Sequence, residues 1–438
     1  MADPIVAKTL GIIMNDWMFG YGVEYTEDMY AQMKIEVRRQ FELRTELKFL
    51  LPAFPCKSCS KKKVIGSNVD YAEFLAIQNI LTTLRNLLKA YPFGITFTII
   101  SDYHTFAPYI GVTQQNYDAY HQGLKAIIER LGGGDALKLT CLKDYPEFEN
   151  IPSEKICEHL THQFGEKEFL LNFDQRLKTD GEFMAKYTQM RRFMHEDQRD
   201  NFPGTPRSKA TASFVKNLAR GMMNQGVALD NFLRCHAKEH IRLSIHNHNP
   251  SGGKYAIDLY KLTNFRNSDS DTGSKSHLVS PWHNALCFDA KNGKMLIEHH
   301  ETFHASKSGE VEFVPVTYLG QVWMYFSVAK SNGSMEIDPV STMTAELVGP
   351  DYGLIITSND NALNWMSTDE DCLNMMVVKF GAIILRGFKE TGDVDSTNRL
   401  RRHQEWAKNN CLNTDTMQRR HFLYIKDCDI RIPNARNI

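Results

Sequence analysis

The sequence predicts an α/β fold: a Rossmann-like, partly parallel sheet with flanking helices and added antiparallel hairpins, followed by a small C-terminal α+β unit. Three observations predict it. A strand–loop–helix–strand succession occupies residues 47–100, charged helical periodicity fills 153–235, and short alternating or apolar segments follow from residue 240 onward. The chain has 438 residues, and at roughly 150 residues per domain this allows two or three domains.

Taken in order, Met29, Met33, Val37 and Phe41 recur every four residues among charges, which predicts a helix over 27–43. The apolar run Leu47 to Phe54 reads as a strand, and a loop rich in Lys and Ser, Pro55 to Val69, follows it. Asp70 and Glu73 form a capping-box pattern ahead of the stripe Phe74, Ile77, Leu81, Leu84 and Leu88, and that helix ends near Pro92. Gly94 to Ile100 is apolar and β-branched, as a buried strand requires. A crossover through one helix makes the two strands parallel. Loops after parallel strands open on one edge of the sheet, where ligands of open α/β sheets sit. Cys56, Lys57 and Ser58 are thereby brought to the same edge as Ser101, Asp102 and His104.

Residues 114–131 form another helix, stopped by Gly132-Gly133-Gly134, and 137–142 a third strand. In His240 to His246, period two puts Ile241, Leu243 and Ile245 on one face and His240, Arg242, Ser244 and His246 on the other. Asn292-Gly293 predicts a hairpin with a type I′ turn joining 282–289 to 294–300. Around 328–345 the composition shifts to Ser, Asn, Gly, Asp and Pro. A domain boundary is expected there, separating a first domain over 1–330 from an appendage over 345–438 with strands near 354–356 and 382–385.

The 51 basic residues balance 52 acidic ones, which argues against nucleic acid or an anionic membrane as partner. An anionic ligand must then be met by a local cluster of Lys or Arg. The nine cysteines, an odd and scattered set, fit a reducing compartment better than a disulfide framework. No basic-then-apolar leader and no apolar run of about 18 residues is present, so a cytoplasmic protein is expected.

Each motif has a chemical and a plain reading. Lys57 and Ser58, just past a strand end, suit a phosphate or carboxylate ligand or a proton transfer, or else belong to a solvated basic loop continuing through Lys61, Lys62 and Lys63. Cys56 and Cys59 form a C-x-x-C with no second pair, which argues against zinc. Asp102 and His104 are an acid–base pair or a simple cap. Arg242, Ser244 and His246 line up a guanidinium, a hydroxyl and an imidazole, or face water. His283 is catalytic or bonded in the core, and the run Arg191, Arg192, His195 reads as a solvated helix face.

Together these segments resemble one family. Ala53-Phe54-Pro55-Cys56-Lys57-Ser58, Ser101-Asp102 with Gly111-Val112, Ile241 to His246, and Pro281-Trp282-His283-Asn284 occur in the order seen in the isonitrile synthases, over residues 25–325. That family includes the enzymes of the pyoverdine-cluster and xanthocillin type and the yeast spore-wall dityrosine enzyme. Cys59 stands where the family loop usually has Pro, Tyr103 where Gly is common, and Pro108 where an acid is common; these departures bear on the substrate more than on the reaction class. The resemblance implies that the α-amine of an aromatic amino acid, tyrosine or tryptophan, condenses with ribulose 5-phosphate, whose ketone carbon becomes the isonitrile carbon. It implies no metal and no redox cofactor. Lys57, Asp102, His104, His246 and His283 are the expected catalytic residues, and Cys56, Ser58, Ser101, Arg242 and Ser244 the expected substrate contacts.

Two other classes stay open: a metal-dependent hydrolase built on His246, His248 and His283, and a non-catalytic sugar-phosphate binder using Lys57 and Arg242. The segment Phe380 to Phe388 resembles an early strand of taurine-dioxygenase-like iron enzymes, a domain sometimes fused to isonitrile synthases in fungi, and the resemblance implies a downstream oxygenase as a partner. His403-Gln404-Glu405 matches the iron-ligand spacing formally, but in a charged helical stretch where positions two apart diverge. The appendage is therefore expected to be vestigial and to do no oxygenase chemistry.

Overall fold

A computed structural model describes residues 2–17, 27–246, 253–260, 280–290, 292–304, 311–329, 343–358, 375–376, 379–381, 383–386 and 424–425. The chain forms two compact units, one of residues 1–262 and 270–284, the other of 263–269 and 285–438.

The first unit begins with helices α1 (Ala2–Asp16) and α2 (Glu27–Glu42). Then come β1 (Leu47–Pro52), α3 (Tyr71–Ala90), β2 (Ile95–Ser101), α4 (Tyr103–Ile110), α5 (Gln114–Arg130) and β3 (Leu137–Cys141). Helices α6 (Ile156–Phe164), α7 (Phe173–Thr179), α8 (Gly181–Asp197) and α9 (Lys209–His236) lead to β4 (His240–Ser244) and β5 (Lys254–Ala256). The five strands form one sheet in the order β3-β2-β1-β4-β5, every pair parallel. The expected βαβ unit is present, with Leu47 to Pro52 in register with Ile95 to Ile100.

Both faces of the sheet are covered, which is why the central strands β1 and β2 are largely apolar without alternation. On one face Trp17 packs edge-on against Phe49 and Phe97. On the other, Leu50 and Ile100 join Ile156 and Leu160 of α6 and Leu229, Phe232 and Leu233 of α9 in one buried cluster. Asp70 caps α3 as its sequence requires: its side chain accepts from Ala72 N–H at 2.8 Å while Glu73 accepts from Asp70 N–H at 3.0 Å.

The second unit holds β6 (Ala285–Asp289), β7 (Lys294–Glu298), α10 (His300–His304), β8 (Val311–Tyr318), β9 (Gln321–Ala329), β10 (Met343–Gly349), β11 (Tyr352–Ser358), β12 (Ile383–Arg386) and β13 (Tyr424–Ile425). They form one mixed sheet in the order β13-β12-β11-β10-β8-β9-β6-β7. β8 pairs with β10 and β11 with β12, so this sheet runs across the boundary expected at 328–345, and the chain divides instead between Asn284 and Ala285. A loop composition marks a break in local structure, while strand pairing on either side of it decides the unit.

The Asn292-Gly293 hairpin forms, but not with a type I′ turn. Asp289 pairs with Lys294, leaving a four-residue loop in which Gly293 takes the left-handed conformation at φ 64°. Asp289 explains the longer loop: its carboxylate accepts from Asn292 N–H at 3.4 Å and Nδ2 at 2.6 Å, and its carbonyl from Gly293 N–H at 2.8 Å. His248, His403 and Glu405, and the end of the Phe380–Phe388 segment, lie outside the described residues. Among the described residues no helix is long and apolar enough to cross a membrane.

Candidate active site

In the first unit β2 and β3 lie on one side of β1, and β4 and β5 on the other. The strand order thus reverses at β1, which opens a crevice beyond the carboxyl ends of β1 and β4. The chain leaves β1 through Phe54, a bulky residue held at φ 57° in the left-handed region. Two contacts hold it there. Ser101 Oγ, from the end of β2, donates to the Phe54 carbonyl at 2.9 Å, and the Phe54 ring packs on Trp282 with centroids 5.0 Å apart. Ser101 is therefore a buried tie between two strand ends, a position unlike the substrate contact expected of it.

Lys57 is also turned inward. Its side chain is 0% exposed, and Nζ lies 2.7 Å from Asp70 Oδ2, 2.8 Å from Glu73 Oε2 and 3.0 Å from the Pro281 carbonyl. Burial alone would pull its amine down, but the two carboxylates outweigh that and hold it above its ordinary value. Burial in turn raises Glu73 to about 7 despite Lys57. Tyr120 donates to the other Glu73 oxygen at 3.1 Å. The expected contact of Lys57 with a ligand anion is thus replaced by an internal one, because the capping box of α3 supplies two carboxylates at the point where the loop enters.

Beside it lies a second buried group. Asp197, the last residue of α8, accepts from Ser58 Oγ at 2.5 Å and pairs with Lys63 Nζ at 3.2 Å. His283 Nδ1 stands 3.4 Å from Asp197 Oδ1, within ion-pair reach when the ring is protonated but without hydrogen-bond alignment. Burial would raise the Asp197 carboxyl, but His283, Lys63 and Ser58 together hold it well below the usual range. Burial lowers His283 below the ordinary imidazole value although Asp197 opposes this, so the ring is neutral near pH 7. Its side chain is 17% exposed and stacks edge-on against Phe193 at 5.0 Å. The Trp282 carbonyl accepts from Ser58 N–H at 2.9 Å, which joins the loop after β1 to the turn carrying His283.

Cys56 is buried, and its thiol is pushed well above normal by burial, then by Asp197 and Asp102. The field of both carboxylates therefore reaches it. Burial raises Cys59 to about 12, and its sulfur touches the Asp197 carbonyl at 3.2 Å and Gln198 at 3.3 Å. Neither sulfur is a thiolate at neutral pH.

Asp102 ends the loop after β2 and stands at the cap position of α4 without bonding to a cap N–H. Its Oδ1 is buried with no protein partner among the described residues, and burial raises the carboxyl to about 7. The hydroxyls of Ser60, Thr105 and Ser280 are likewise buried without a partner among those residues.

The remaining expected residues have other contacts. His104 is 1% exposed and packs edge-on against the stacked rings of Tyr103 and Tyr117, and burial lowers it to about 4; it is a core histidine. β4 ends at Ser244, so the alternation does not carry on to His246, which is exposed. Ser244 Oγ accepts from His246 N–H at 3.1 Å. Arg242 Nη2 pairs with Asp230 Oδ1 at 2.5 Å. Of the three histidines of the hydrolase arrangement, His246 is exposed, His283 is turned to Asp197, and His248 lies outside the described residues. Among the described residues no group of three His, Cys, Asp or Glu side chains is placed to hold a metal ion. Asp197 and Lys63 were not foreseen. Asp197 closes the charged run with Arg191 and His195, which resembles a solvated face, and only packing shows that this end is buried.

Residues 37–311 match the family described as pyoverdine/dityrosine biosynthesis protein. The chain belongs to this family. The spore wall maturation protein DIT1 of Saccharomyces cerevisiae is 27% identical over 326 residues, which are 65% of this chain and 58% of the yeast protein. The L-tryptophan isonitrile synthase AmbI1 of Fischerella ambigua is 23% identical over 266 residues, covering 60% of this chain and 77% of that protein. The L-tyrosine isonitrile synthase of Pseudomonas aeruginosa is 26% identical over 240 residues, covering 54% and 68%. The crystal structure of PvcA from Pseudomonas aeruginosa superposes with a TM-score of 0.62 at 21% identity, over 74% of this chain and 99% of that one, which shows a shared fold. The chain thus spans well under two thirds of the yeast relative's length and more of the bacterial ones.

Proposed function

We propose that this family member is an isonitrile synthase, converting the α-amine of tyrosine or tryptophan to an isocyanide with ribulose 5-phosphate as carbon donor. The observations that support the reading are two titratable groups of the first unit suited to opposite proton transfers. His283 is neutral and backed by Asp197, and Asp102 titrates at about 7. An amino acid arrives as an ammonium ion and must lose a proton before its nitrogen attacks the ketone; His283 is the base suited to take it. The resulting carbinolamine loses its hydroxyl as water when an acid protonates it, and Asp102 is the acid suited to give that proton. The imine carbon so formed is the one that remains on nitrogen as the sugar fragments. Relatives named for tryptophan and tyrosine support an aromatic substrate. The six described cysteines are free thiols, which supports a reducing, cytoplasmic setting.

The test uses ribulose 5-phosphate labelled at its second carbon, offered with tyrosine and with tryptophan, and mass spectrometry of the products. Label in an amino-acid isonitrile is expected. Its absence with both amino acids would overturn the reading.

A further inference from the structure

On the α9 side of the parallel sheet three cations share one carboxylate. Asp230 Oδ1 accepts from Arg242 Nη2 at 2.5 Å and from Lys254 Nζ, and Asp230 Oδ2 accepts from Arg234 Nε at 2.8 Å. Arg242 is nearly buried, its side chain 11% exposed, Lys254 is 24% exposed, and Arg234 at 56% reaches solvent. Three positive charges against one negative leave an excess of two.

The register makes this excess costly. Arg242 on β4 stands directly opposite Lys254 on β5, so both project to one face, the face of Leu50. Like charges opposite each other across strands destabilise a sheet. Asp230 relieves part of the repulsion; burial still pulls the Lys254 amine below its ordinary value. A guanidinium carries five N–H donors, and Arg242 spends one on a partner among the described residues. Local rules of this kind are broken chiefly at functional sites, and a bound anion would offset the excess.

We infer that Arg242, Lys254 and Arg234 around Asp230 form an anion subsite that takes the phosphate of the phosphorylated sugar. This rests on the proposed function for the identity of the sugar. A phosphate dianion matches the excess charge, and the fork of Arg242 matches its oxygens. Position agrees. Arg242 is in register with Leu50, two residues before β1 ends, so the cluster flanks the crevice at the strand-order reversal. Lys57, the other cation expected to meet an anion, is already held by two carboxylates.

The experiment is calorimetric titration with ribulose 5-phosphate, with unphosphorylated ribulose and with inorganic phosphate. Ribulose 5-phosphate should bind at least about tenfold more tightly than ribulose, and inorganic phosphate should compete with it. Lys254→Gln and Arg242→Gln should each weaken ribulose 5-phosphate at least about tenfold and leave ribulose unchanged. Equal binding of the two sugars, or ribulose 5-phosphate bound by Lys254→Gln as by wild type, would overturn the subsite; the comparison of the two sugars needs no variant. The two proposals fail separately. Isonitrile production with an unchanged KM for ribulose 5-phosphate in Lys254→Gln removes the subsite alone. Phosphate binding lost in the variants, without isonitrile from wild type, removes the synthase reading alone.

Discussion

Lys57→Met separates a structural lysine from a substrate-binding one. In the wild type the amine sits between Asp70 at 2.7 Å and Glu73 at 2.8 Å, with the Pro281 carbonyl at 3.0 Å and no exposure to water. Methionine keeps most of the volume and removes the charge, leaving two carboxylates in a dry place. Breaking a buried pair from one side costs about 3–5 kcal/mol, whereas a surface lysine costs within about 0.5 kcal/mol. At about 2–4 °C per kcal/mol, the loss corresponds to a melting temperature lower by about 6–20 °C. The sign with pH follows from Glu73. Its carboxyl, about 7 when folded with Lys57 present and ordinarily 4.5, moves further up without the lysine. A carboxyl raised by folding loses stability as pH rises through its folded value, so the variant's deficit should shrink between pH 8 and pH 6. Adding Glu73→Gln should recover part of the loss at pH 8. Urea unfolding followed by tryptophan fluorescence, with unchanged m-value, measures all three. A Lys57→Met protein within about 0.5 kcal/mol of wild type would refute this account.

Three further outcomes follow from the same contacts. His283→Ala should lower kcat by about 10²–10⁴-fold with the protein folded, and Asp197→Asn should lower it by less; wild-type turnover in His283→Ala would remove its role as base. Because Asp102 must be protonated to act as an acid and titrates at about 7, kcat/KM should fall as pH rises through that value. Asp102→Asn should abolish that limb, and a limb that persists in the variant belongs to another group. His104 is lowered by burial to about 4 from 6.5, so the unfolded chain takes up the proton first and wild-type stability is lost as pH falls from 6.5 toward 4. His104→Phe should lessen that loss between pH 7 and pH 5 in urea unfolding, and an unchanged difference would place His104 in water.

Read alone, the sequence determined the local elements and the edge on which the site lies. Asp70 and Glu73 announce α3, Ile95 to Ser101 announces a buried strand, and one helix between two strands makes them parallel, so Cys56 and Asp102 emerge at one edge. These are short-range consequences of backbone hydrogen bonding and of apolar periodicity, and both are written in neighbouring residues. Partners distant in sequence are not. Lys57 and Lys63 carry the same side chain six residues apart, yet one is claimed by Asp70 and Glu73 and the other by Asp197. Arg242 looks like a solvent-facing strand residue until Asp230 on α9 meets it. The composition break at 328–345 resembles a domain boundary until β8 pairs with β10 across it. Only the tertiary structure decided these pairings, because a charge has no periodicity: whether it faces water or a counter-charge depends on what long-range packing brings beside it, and the cost of burying it unpaired selects the one arrangement in which it is met.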